Sequence, residues 1–192
     1  MLGRLPTSLN INSKEYSIRS DYRVVLTIFQ AYNEPDYSED EKIQIAIECL
    51  LEHPEELQDV DVVEASKQVA WFLSGGEQED DNANQSKKKL LDWEQDEQLV
   101  FSAVNKVAGK EVRAVEYLHW WTFLGYFKDR GECMLNTIIN LRDKINRHQK
   151  LSSDEREFYK SNQRLIDLKE RLTAEEQAQD DYYRNLLKQY GC

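Results

Sequence analysis

The chain has 192 residues, 40% of them hydrophobic and 32% charged, with only 7 glycines and 3 prolines. So few punctuating residues exclude an all-β fold rich in turns, and the length suits one moderate domain or two small ones. The formal charge of −11 is concentrated: residues 21–86 hold 17 acidic and 3 basic side chains, a field that repels phosphate and suits a basic partner.

The first expected element is a small β-hairpin over residues 8–19. Leu9 and Ile11, then Tyr16 and Ile18, alternate with polar residues around the polar stretch Asn12–Glu15. Asp21 is placed to cap a helix reaching about Asn33, with Val24, Val25, Ile28, Phe29 and Tyr32 as its apolar stripe. Ser38-Glu-Asp-Glu41 has the form of a capping box and opens a second helix that stops before Pro54. Asp61 is the expected cap of a third helix, which Ser74-Gly75-Gly76 ends.

Residues 77–89 contain one apolar side chain and read as a flexible charged linker, since such a segment buries too little to offset its ordering entropy. The domain organisation expected from this is an N-terminal hairpin plus acidic helical part over 1–76, a linker over 77–91, and a C-terminal helical part over 92–192. Asp92 is the expected cap of a fourth helix ending at Gly109. An aromatic helix is expected from about Arg113 to Lys128, with Gly125 inside it as a sign of close helix approach. Six of the twelve residues Glu116–Phe127 are aromatic, so this helix is apolar nearly all round and belongs inside the protein. A sixth helix spans about Glu132 to His148, Ser152 begins a seventh, and Thr173-Ala-Glu-Glu176 boxes the last. The fold class is therefore mainly α, a multi-helix bundle with a small N-terminal β-hairpin.

Catalytic and cofactor signatures are missing from the sequence. No Gly-x-Ser-x-Gly elbow, phosphate loop or dinucleotide fingerprint occurs. Cys49 and His53 share a helix face but do not complete a zinc site, and the three cysteines, Cys49, Cys133 and Cys192, form no disulfide framework. His119, between Leu118 and Trp120, reads as a satisfied core or interface histidine. No catalytic, cofactor or metal residue is assigned, and the expectation is a non-enzyme. A basic cluster, Arg142, Lys144, Arg147, His148 and Lys150, is a weak nucleic-acid cue against the overall negative field. No run reaches the ~18 apolar residues of a membrane span, and no signal peptide is read, so a soluble intracellular protein is expected. Partner binding is the better-motivated class. Trp120 and Trp121 are ~100° apart on a helix and cannot share one contact. Tyr117, Trp120, Trp121 and Phe127, with Tyr182, Tyr183 and Tyr190 on the sparse last helix, are the candidate partner-binding residues.

Several stretches together resemble the bacteriophage "gene product fifteen" family: Met1-Leu-Gly-Arg-Leu-Pro-Thr-Ser-Leu9, Asp21-Tyr-Arg-Val-Val-Leu-Thr-Ile-Phe29, Trp71-Phe-Leu-Ser-Gly-Gly76 and Asp92-Trp-Glu-Gln-Asp96. Glu116-Tyr-Leu-His-Trp-Trp-Thr-Phe123 with Gly131-Glu-Cys133, and Glu157-Phe-Tyr159 before Leu165-Ile-Asp-Leu168, are the strongest of them. The likeness runs over roughly residues 1–172. The resemblance implies a siphophage or prophage tail-morphogenesis protein of Gram-positive hosts, encoded just before the tape measure. A tail-assembly chaperone of this kind binds the tape-measure protein and helps recruit tail-tube subunits. It implies host cytoplasm and absence from the mature virion; self-association stays open. The alternatives are a structural minor tail protein retained in the virion and a small helical regulator or nucleic-acid-binding protein.

Overall fold

The computed structural model describes residues 3–77 and 88–190, with side chains described through residue 186; most of the expected linker, 78–87, lies outside the described residues. The N-terminus forms the expected hairpin, β1 (Ser8–Ile11) and β2 (Lys14–Ser17), antiparallel with Ile11 opposite Lys14. Its turn is tighter than the polar stretch suggests. Asn12 and Ser13 alone make it, both with positive φ (47° and 69°), the primed geometry whose twist matches the strands. Leu9, Ile11, Tyr16 and Ile18 are all buried, so the alternation does set the inward face.

Eight α-helices follow among the described residues: α1 (Tyr22–Tyr32), α2 (Glu39–Leu50), α3 (Val62–Leu73), α4 (Glu97–Ala108), α5 (Trp120–Lys128), α6 (Met134–Asn146), α7 (Ser153–Ile166) and α8 (Ala174–Tyr190). Local capping chemistry explains several of their ends. Asp21 accepts from the Arg23 amide, and Ser38 with Glu41 and Ser152 with Glu155 form reciprocal capping boxes. Gly109 closes α4 in the left-handed conformation, φ 66°.

Two expected caps do something else. The Asp61 carboxylate accepts from Asn12 Nδ2 at 2.6 Å, joining the hairpin turn to the start of α3 rather than capping it. Asp92 accepts from the amides of Glu94 and Gln95, but this organises a turn, and α4 starts only at Glu97. Burial works to raise the Asp92 pKa; the Lys89 ammonium and the two amides outweigh it and lower the carboxyl to about 2.

The main core takes buried residues from Leu9 in β1 to Leu135 in α6. Residues 1–76 and 92–192, which the sequence separates, thus contribute to the same apolar cluster. A smaller cluster of Ile138, Leu141 and Ile166 lies between α6 and α7. A buried ion pair stands beside it. Arg142 donates to both oxygens of Asp96 (2.6 and 2.8 Å) and to the carbonyls of Leu90, Leu165 and Ile166. The guanidinium therefore ties together α6, the start of α4, the end of α7 and the chain entering residue 90.

The aromatic helix is enclosed, as its composition demands, but it is shorter than expected. It begins at Trp120, not Arg113. Residues 112–114 form one short 3-10 turn, and the chain then runs beside the start of α1. Tyr22 donates its amide to the Leu118 carbonyl (3.0 Å), and Trp120 donates to that of Ser20 (2.8 Å). The Asp21 carboxylate accepts from the Leu118 amide as well. These remote partners keep the chain out of helix until residue 119. Gly125 is a second correction: a Cβ there would meet nothing within 4 Å. The close approach is at Gly75 and Gly76, both with positive φ, where a Cβ would lie 2.7 Å from Leu124 and 2.9 Å from Trp121.

Candidate interaction surfaces

The residues singled out for partner binding divide by burial. Trp120 is 1% exposed. It packs on Phe29, Trp93 and Phe123, and its Nε1–H donates to the Leu73 carbonyl at 3.0 Å. Trp121 faces the other way, onto Trp71 and Phe72, and donates to the Phe72 carbonyl at 2.9 Å. Leu73 and Phe72 belong to the last turn of α3, whose carbonyls have no partner within the helix. The two indoles, forced apart by helix geometry, thus reach neighbouring carbonyls of one helix end: Trp120 supplies a donor to Leu73, and Trp121 shares the Phe72 carbonyl with the Gly75 amide. Phe127 is buried against Trp93, with the Arg130 guanidinium over its ring at 4.2 Å. A surface groove lined by Tyr117, Trp120 and Phe127 is therefore ruled out: two of the three are core residues with their neighbours already in place.

Tyr117 lies outside the helix and is 56% exposed, with its hydroxyl 2.8 Å from that of Ser20. Tyr182 and Tyr183, 63% and 57% exposed, stand on α8 with their rings edge to face. The side chain of Tyr190 lies outside the described residues. The α8 backbone is anchored at its start, where the Ala174 amide donates to both Asp36 oxygens, and its own Thr173–Glu176 box closes the first turn.

His119 caps α5. It is buried, its Nδ1 accepts from the Trp121 amide at 3.0 Å, and Nε2 stands 2.9 Å from the Pro6 carbonyl, which defines the Nε2–H tautomer. Both ring nitrogens are committed to structure. His53 pairs with Glu55 rather than Cys49, and burial pushes the Cys49 thiol up. Among the described residues no three His, Cys, Asp or Glu side chains gather as a metal site, and no helix is long and apolar enough to cross a membrane.

The expected basic cluster loses its strongest member, since Arg142 is in the core. Lys144 pairs with Glu155 and Arg147 with Asp143, leaving a patch of mixed sign. A cavity of about 610 Å³ lies there between α6 and α7, lined by Leu141 and Phe158 but also by Asp143, Lys144, Asp154 and Glu155. The opposite character holds near α2 and α3. A cavity of about 260 Å³ is lined by Tyr32, Ile43, Ala46, Val69 and Ala70, with Ser66 and Lys67 beside them. Sequence periodicity places Ile43 and Tyr32 on inward stripes; the structure leaves both at the groove surface, 37% and 36% exposed. The signal that could have found this groove was the acidic run around it.

With these surfaces described, the chain can be compared with known proteins. The model of the family described as "Bacteriophage Gp15 protein" matches residues 1–168. The chain belongs to the bacteriophage Gp15 family. No curated protein and no solved structure matches it. The family match ends just past α7, so it takes in the hairpin, both apolar clusters and the Arg142–Asp96 pair, while α8 lies beyond it. The apolar groove between α2 and α3 and the aromatic helix are thus within the matched part of the chain.

Proposed function

We propose that this Gp15-family protein is a non-catalytic tail-assembly chaperone that binds the tape-measure protein and helps bring tail-tube subunits to it. Family membership over residues 1–168 carries the reading. The physical character of the surface supports it. The aromatic residues that would suit a chemical pocket are consumed by packing, and His119 has both nitrogens engaged in helix capping. What the surface offers is acidic, with an apolar groove within it, a combination that attracts and holds another polypeptide.

Co-expression with the neighbouring tape-measure protein tests the proposal. The tape measure is expected to become soluble and to co-purify with this protein. If it is equally soluble alone and does not co-purify, the proposal fails. Mass spectrometry of purified particles adds the second criterion: a chaperone is absent or present in traces, whereas a stoichiometric amount assigns the protein to the tail structure instead.

A further inference from the structure

Within the reading of this protein as a holder of other chains, we infer that the groove between α2 and α3 receives a lysine- or arginine-rich amphipathic helix of the client.

The groove floor is apolar and firm. Ala46 and Val69 are buried at its base, while Tyr32, Ile43 and Ala70 form its open walls. The apolar strip continues outward along α3. Val63 stands one and two turns before Lys67 and Ala70 on the same helix face and is 68% exposed. Two neighbouring helices with an apolar furrow between them present the geometry into which a third helix packs its ridge. The cavity of about 260 Å³ has room for an anchoring side chain from such a ridge.

Charge decides the occupant. Residues 34–64 hold twelve carboxylates, and Lys42 is the only lysine or arginine among them. Lys67 lines the cavity itself and pairs with Glu64 at 3.8 Å, and Lys42, outside the lining, pairs with Glu39 at 2.9 Å, so the carboxylates of this region outnumber its cations. The surroundings therefore stay strongly negative, and desolvating an acidic or neutral polar helix against them is unfavourable. Neither the chain's own α8 nor a second copy of this face fits. The first turn of α8 carries Glu175 and Glu176, and two such faces repel each other. An apolar stripe flanked by cations satisfies floor and rim together.

The test uses the full chain and three labelled peptides of about 18 residues, long enough for five helical turns. One has leucine along one face and lysine on the other; the second replaces lysine by glutamate; the third scrambles the first. Fluorescence anisotropy is expected to show binding of the first peptide at least about tenfold tighter than of either control, weakening as salt screens the rim. Ile43→Glu and Ala70→Trp place a charge on the wall and fill the groove. Both positions are exposed, so each variant is expected to keep its melting temperature and to lose about tenfold or more in affinity. Equal binding of the scrambled peptide, or unchanged binding by both variants, overturns the inference. Co-purification separates it from the chaperone reading. If wild type carries the tape measure and both variants carry it equally, the groove assignment falls and the function stands. If wild type carries none, the function falls, and the peptide series alone decides the groove.

Discussion

Helices α5 and α8 carry the aromatic residues that drew attention to both, yet the protein uses them in opposite ways. In α5 the rings of Trp120, Phe123 and Phe127 are buried, and each indole N–H of the tryptophan pair ends on a carbonyl of α3. In α8 the rings of Tyr182 and Tyr183 face solvent and touch mainly each other. Aromatic content therefore does not separate core from interface. What distinguishes the two tryptophans of α5 is that each indole N–H has a fixed acceptor inside the protein. The α5 indoles find one because α3 ends at Gly75 and Gly76, which let its last turn approach without a side chain in the way.

The sharpest test of this contrast is truncation on both helices. Trp120→Ala is expected to cost about 3–5 kcal/mol of unfolding free energy in a urea titration, because a large cavity opens and the Leu73 carbonyl loses its donor. Tyr182→Ala, lying on an exposed face, is expected to stay within about 0.5 kcal/mol of wild type. Comparable losses at the two positions would break the comparison.

The buried ion pair extends the contrast to charged groups. Arg142→Ala removes the partner of the buried Asp96 carboxylate and is expected to cost about 3–5 kcal/mol, whereas replacing both partners, Arg142→Met with Asp96→Leu, is expected to recover only part of that loss, because the carbonyls of Leu90, Leu165 and Ile166 and the Asp92 amide still lose their partner. Thermal and denaturant unfolding of the single and double variants measure it. A single variant that unfolds like wild type would place Arg142 with the surface cations instead.

Glycine substitutions sharpen the account of why α3 and α5 meet where they do. Gly76→Ala forces a side chain into the left-handed region beside Trp121, and about 1–2 kcal/mol is expected to be lost through backbone strain alone. Tryptophan fluorescence is expected to shift as Trp121 gives way. Gly125→Ala has the opposite sign: open space surrounds that position. The added methyl is expected to stabilise α5 by about 0.5–1 kcal/mol through its better helix propensity, read as a raised melting temperature.

Much of the fold was legible in the residues. The caps Asp21, Ser38 and Ser152 hydrogen-bond to amides two or three residues away, so sequence spacing reveals them. The hairpin, likewise, follows from alternation, although its turn is Asn12 and Ser13 alone rather than the whole stretch Asn12–Glu15. Less of the candidate site was legible. Tyr117, Tyr182 and Tyr183 do lie at the surface, but Trp120, Trp121 and Phe127 pack into the protein, and the groove bounded by Tyr32, Ile43 and Ala70 was not singled out. A groove exists only where two helix faces leave a gap, and no single periodicity encodes that gap.

The sequence by itself determined the mainly helical class, the order of hairpin and eight helices, most of the inward stripes and the concentration of negative charge. These depend on contacts within a few residues or on composition, so they survive without knowledge of packing. Tertiary structure alone decided that α5 starts at Trp120, that Asp61 reaches Asn12, that Arg142 leaves the basic cluster for Asp96, and that Gly75 and Gly76 rather than Gly125 mark the tight approach. The physical reason is common to all four. Each is set by a partner remote along the chain, as when Asp21 accepts from the amide of Leu118 97 residues away, and the free energy of such a contact is defined only once the helices have met.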